Sequence, residues 1–149
     1  MKKFPLESVL SYRHELEKVL QEEMASLQNQ LSCERDRLKG YRIQREKWEK
    51  ELTLLQQRED ILPTVVNLYL NHQEVLDRKI TEQEEVVVGL EAVIEKKRRE
   101  LLKASRDRKS LEKLEEYFQG KVDLEEKRQE EKFLGELALN SFRRRSSSR

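Results

Sequence analysis

The sequence predicts an all-α protein: two long helices forming an antiparallel coiled-coil hairpin, with the second helix overhanging the first. Three observations predict it. Of 149 residues, 41% are charged and 36% hydrophobic, with four Gly and two Pro. That is the length of one domain without the apolar content to wrap a thick core. The net charge is only +1, and Leu, Ile and Val recur at regular intervals, unlike the composition of a disordered chain. Finally, the stretch REDILPTVVNLYLNH, Arg58 to His72, sets Pro63 and a dense apolar cluster near the midpoint of a sequence otherwise rich in helix formers.

The first helix is expected over about residues 6–62. Read with period seven, its seam consists of Leu10, Glu17, Met24, Leu31, Leu38, Arg45, Leu52 and Glu59, together with Arg13, Leu20, Leu27, Glu34, Tyr41, Trp48, Leu55 and Leu62. Most are apolar, and the positions between them are mainly Glu, Lys, Arg and Gln. A stripe this narrow, sustained over seven heptads, marks a coiled coil rather than a helix lying on a globular core. Pro63 lacks a backbone donor and disfavours helical geometry at Leu62, so the first helix should end there. Thr64 offers an N-cap for the restart, giving a tip over about residues 62–66. A mid-helix proline in a long parallel dimer would cost about 3 kcal/mol in each chain, a cost the hairpin avoids.

The second helix is expected over about residues 66–142. Its seam is Tyr69, Leu76, Gln83, Leu90, Lys97, Ala104, Leu111 and Phe118, with Gln73, Ile80, Val87, Ile94, Leu101, Arg108, Glu115 and Val122. Antiparallel registers step by seven residues. The one centred on Thr64 pairs Leu10 with Phe118, Trp48 with Ile80 and Leu52 with Leu76, and sets Arg13 against Glu115 and Arg45 against Gln83. Nothing upstream can then cover the chain from about Leu124 to Phe142. There the seam changes step, and Phe133, Leu134, Leu137, Ala138 and Phe142 fall on one face, a candidate docking surface. Residues 1–142 therefore form a single hairpin. Residues 143–149, with Arg143, Arg144, Arg145 and Arg149, read as a disordered basic tail too short to argue for nucleic-acid binding.

Catalytic and ligand chemistry finds no constellation. His14 and His72 belong to opposite ends of the hairpin and form no metal pair. Cys33 lies on the outer face with no neighbouring histidine to make it a nucleophile. The four glycines are too widely spaced for a phosphate loop. The expectation is a non-enzymatic protein without cofactor or metal. A charged stretch follows the two opening lysines in place of a secretory core, and no apolar run approaches the roughly 20 residues of a membrane span. A single cysteine fits a reducing compartment.

Three stretches together resemble the family of the flagellar export protein FliJ, the stalk proteins of type III secretion. In FPLESVLSYR, the residues Phe4, Leu6, Val9, Leu10 and Arg13 are similar to the family's opening pattern. In NLYLNHQEVLDRKI, the residues Tyr69, Leu76 and Ile80 match its spacing at the start of the second helix. KRQEEKFLGELALNSFRR resembles its C-terminal run, departing at Gly135, where the family commonly carries an acidic residue. The resemblance covers nearly the whole chain.

The resemblance implies a stalk or adaptor of the flagellar export apparatus that binds the hexameric export ATPase and promotes its assembly and activity. It also implies contacts with the export gate membrane protein and the export chaperones. Leu6, Val9, Phe133, Leu134, Leu137 and Phe142 would meet the ATPase ring, and Tyr69, Leu70 and Leu76 the gate. The protein would be a monomeric hairpin when free. It would be cytoplasmic, held peripherally at the inner face of the cell membrane through the apparatus. The rival readings are the stalk of a virulence-type secretion system and a self-associating coiled-coil scaffold.

Overall fold

The computed structural model describes residues 2–147, and these form two helices, α1 over Glu7–Gln56 and α2 over Pro63–Ser147, with no strand among the described residues. They group into two compact units. One is Lys18–Leu102, which contains the tip; the other joins Met1–Glu17 to Lys103–Arg149. In each unit the two helices run antiparallel and pack along the predicted seam. All seam positions on α2 are buried or half-buried, as are all those of the first set except Glu59 and Leu62.

In the unit Lys18–Leu102, Met24, Leu31, Leu38, Val87 and Ile94 form one buried cluster, with Leu27, Ile80 and Leu90 packed against it. These side chains sit every third or fourth residue, so one face of each helix meets one face of the other. Charged side chains flank the seam: Arg35 donates to Glu91 and Arg42 to Glu84, each at 3.0 Å, and Lys97 donates to Glu23 at 2.8 Å. In the unit of Met1–Glu17 with Lys103–Arg149, Phe4, Leu10, Ala104 and Val122 are buried. The ring of Phe4 lies 5.7 Å from that of Phe118. Every described residue after Val122 is exposed.

The tip and the register differ from expectation, for one reason. Helix α1 ends at Gln56, and Gln57–Leu62 make the turn. Pro63 does not follow a helix end; it opens α2. The Leu62 carbonyl accepts from the Val65 and Val66 amides at 3.0 and 3.4 Å, so Leu62 is the N-cap and Pro63 the first helical residue. At that position the missing N–H costs nothing, and the fixed φ suits the helix. Thr64 is inside α2. With the tip earlier, each rung slips by about one heptad: Phe118 meets Phe4 instead of Leu10, Arg13 meets Asp107, Arg45 meets Asp77, and Trp48 meets Tyr69 and His72.

The end of α2 also departs from expectation. Arg143, Arg144 and Arg145 are helical, and the Ser146 and Ser147 hydroxyls donate to the carbonyls of Arg143 and Arg144. Arginines in the last turn complement the negative end of the helix dipole. Ser148 and Arg149 lie outside the described residues.

Leu62 is 64% exposed and caps α2 with no side-chain acceptor. Leu62→Asp is expected to stabilise the protein by about 1 kcal/mol and raise Tm by about 2–4 °C. A thermal melt followed by circular dichroism checks this, and an unchanged or lowered Tm would place the cap elsewhere.

Candidate partner-binding surfaces

Two candidate apolar surfaces lie on α2, and each has a local origin. The first is on the unpaired part of α2. Phe133, Leu134 and Leu137 are 60%, 58% and 49% exposed, and the spacing of Phe133 to Leu137 and of Leu134 to Leu137 puts them on one side of the helix. The former seam positions continue here as Glu125, Gln129, Lys132 and Glu136. The apolar face has thus rotated away from the side that α1 covers, and an upstream continuation of α1 could not bury it.

Leu6 and Val9, 37% and 41% exposed, form a separate patch on the other helix of the same unit. Val122 is the last buried residue of α2, and Phe133 lies about 16 Å farther along the axis. The structure therefore does not bring Leu6 and Val9 into one cluster with Phe133, Leu134 and Leu137. Phe142, 71% exposed, is one turn beyond Ala138 and also one turn beyond Leu139, at the border of two faces. A partner reaching both patches must be large.

The second surface adjoins the tip. Tyr69 is half-buried, its ring 4.9 Å from that of Trp48, and the His72 ring packs 4.2 Å from the same indole. Leu70 is 45% exposed, and Leu62 and Leu68 in the same stretch are each 64% exposed. Leu76 is only 2% exposed and belongs to the seam. Of the three predicted gate residues, Leu70 offers most of its side chain to a partner, Tyr69 an edge and Leu76 almost nothing.

No buried side-chain nitrogen or oxygen among the described residues lacks a hydrogen-bond partner. Glu17, 9% exposed, accepts from Arg108, which also donates to Glu112 at 2.9 Å. His14 faces Glu112, its Nε2 3.4 Å from the carboxylate. The Gln83 amide donates to both the backbone carbonyl and the carboxylate of Glu34. Hydrogen bonds to Glu17 and Glu112 hold the Arg108 guanidinium above its ordinary pKa, as the hydrogen bond to Asp77 does for Arg45. These layers do structural work; none forms a nucleophile and base pair, and no group of His, Cys, Asp or Glu placed to hold a metal ion occurs among the described residues. Cys33 is exposed. Among the described residues no helix is long and apolar enough to cross a membrane.

The match to known families is decided over nearly the full chain. A family model described as Flagellar FliJ protein matches residues 1–147. The chain belongs to the FliJ family. No curated protein and no solved structure matches it. Membership in the FliJ family implies a flagellar export-related role.

Sequence reasoning did not find the burial of Phe4 or the Trp48, Tyr69 and His72 cluster, because both follow from the register. It also left out Leu124 and Leu139, 51% and 59% exposed on the unpaired helix; the three-four spacing of Tyr117, Lys121 and Leu124 was the signal available for the former.

Two measurements separate packing from surface roles. Leu76→Ala is expected to cost about 2–5 kcal/mol, the range for an enclosed leucine, whereas Leu70→Asp stays within about 0.5 kcal/mol; equal denaturant midpoints would show that Leu76 is not enclosed. Hydrogen bonds to Glu23 and Glu100 hold the Lys97 ammonium above its ordinary 10.5. Its stabilising contribution is therefore complete below pH 10.5 and lost as pH rises through the raised value. An alkaline unfolding titration should show a loss in that window that Lys97→Gln removes, and identical profiles for the two proteins would refute the pairing.

Proposed function

We propose that the protein is the non-enzymatic stalk or adaptor of the flagellar export apparatus, binding the export ATPase ring and promoting its assembly and activity. The observation that carries this reading is the unpaired, helical end of α2, whose Phe133, Leu134 and Leu137 face solvent on a side α1 leaves open. An ordered apolar face with no partner in its own chain is a docking surface in waiting. Leu6 and Val9 supply a second, smaller contact from the N-terminal end of α1. A multi-subunit ring is large enough to engage both.

The tip surface around Leu70, with the exposed edge of Tyr69, is proposed for the export gate membrane protein, and Leu76 supports it by holding the seam beneath. The export chaperones are the third class of partner. Contact with the gate would keep the protein at the inner face of the cell membrane. In the free state the hairpin is proposed to be a monomer, since the seam is already filled by the chain's own two helices.

The test is ATP hydrolysis by the cognate export ATPase measured against protein concentration, with mass by light scattering. The expected result is a monomer that raises turnover and ring formation, and loss of that stimulation in Leu134→Asp with Leu137→Asp, with helicity nearly unchanged. Full stimulation by that variant would remove the tail from the interface. A dimer without effect on hydrolysis would favour the self-associating scaffold.

A further inference from the structure

The unpaired end of α2 has a second face, which shares only the border residue Phe142 with the ATPase surface. Leu139 follows Leu137 by two residues, which at about 100° per residue places it on the opposite side of the helix. Traced back from Leu139 in steps of three or four, that side carries Gly135, Lys132, Arg128, Leu124, Lys121 and Tyr117; traced forward, it reaches Phe142 and Arg143. Tyr117 is 63% exposed, and Lys121 sits 4.8 Å over its ring.

We propose that this face, from Tyr117 to Arg143, binds directly to an anionic lipid bilayer surface, lying along it rather than entering it. Two features support a bilayer. Arg128, Lys132 and Arg143 make no salt bridge among the described residues, although Glu125, Glu131 and Glu136 border the face, so their charge is available to an external anion. From Leu137 to Ser147 there is no acidic residue at all. Between these cations stand exposed aromatic and aliphatic side chains, Tyr117, Leu124, Leu139 and Phe142. A helix that alternates cations with such groups settles at the headgroup boundary, its cations at the phosphates and its apolar groups just below.

A strand of nucleic acid would also attract the cations, but Leu124 and Leu139 give it neither stacking nor hydrogen bonds. An interfacial site uses every residue on the face. The contact is independent of ATPase docking, because Leu134 and Leu137 point elsewhere. The same helix can therefore rest on a membrane through one side while its other side remains open to a protein.

The experiment is cosedimentation of the full-length protein with vesicles of phosphatidylcholine alone and of phosphatidylcholine mixed with phosphatidylglycerol. Binding is expected only to the mixed vesicles and should weaken as salt is added. The variant Lys121→Gln, Arg128→Gln, Lys132→Gln, Arg143→Gln should bind roughly 100-fold more weakly, and Tyr117→Ser, Leu124→Ser, Leu139→Ser about tenfold or more. Because all seven side chains are exposed, circular dichroism should report unchanged helicity. Leu134→Asp with Leu137→Asp should bind vesicles like the unaltered protein, which separates this face from the ATPase surface. Equal binding to phosphatidylcholine, indifference to both variants, displacement by inorganic phosphate at matched ionic strength, or stronger binding to single-stranded RNA would each overturn the proposal.

Discussion

Each helix of this protein carries only one stripe of side chains that can leave water, and the rest of the structure depends on that limitation. A helix with a narrow apolar seam and charges on every other side cannot bury its seam in itself, and a 41% charged chain has no second layer to cover it. The seams must therefore face one another. The cluster of Met24, Leu31, Leu38, Val87 and Ile94 is this requirement in its simplest form. The flanking pairs, such as Arg35 with Glu91 and Arg42 with Glu84, are exposed and add little energy while opposing other alignments.

The polar layers mark where stability is traded for definition. Replacing an apolar rung by Glu17 with Arg108, or by Gln83 with Glu34, forfeits apolar burial, and the buried groups are tolerated because each has its partner. A slip by one heptad would leave these groups facing the wrong neighbours. An all-leucine seam would be indifferent to such slips, so the polar rungs reinforce an alignment that the tip sets.

Function follows from where the seam stops. After Val122 every described residue of the helix is exposed, and Phe133, Leu134 and Leu137 lie off the seam side. Such a segment contributes little to folding, which frees its surfaces to carry partners. Two sides of one helix then present different chemistry: Phe133, Leu134 and Leu137 are purely apolar, whereas the face of Arg128, Lys132 and Leu139 mixes cations with apolar groups. That division would let the hairpin meet the unlike partners proposed for it.

Much of this was legible in the sequence, and the reason is periodicity. Side chains seven residues apart share a helix side whatever the helix packs against, so the all-α class, the two seams and the exposed stretch of Phe133 to Leu137 are determined by the chain alone. Register is different, because a slip of seven residues leaves every seam residue in a seam. It is decided by where α1 ends, and Pro63 is compatible with either ending one helix or opening the next. The hydrogen bonds from Val65 and Val66 to Leu62 select the second. That turn placed Phe4 on Phe118, built the cluster around Trp48 and enclosed Leu76. The sequence by itself determined which face of each helix would be buried, though not Phe4 nor the exposure of Glu59 and Leu62; the tertiary structure decided which residues would meet, because only the closed turn distinguishes rungs that are chemically alike.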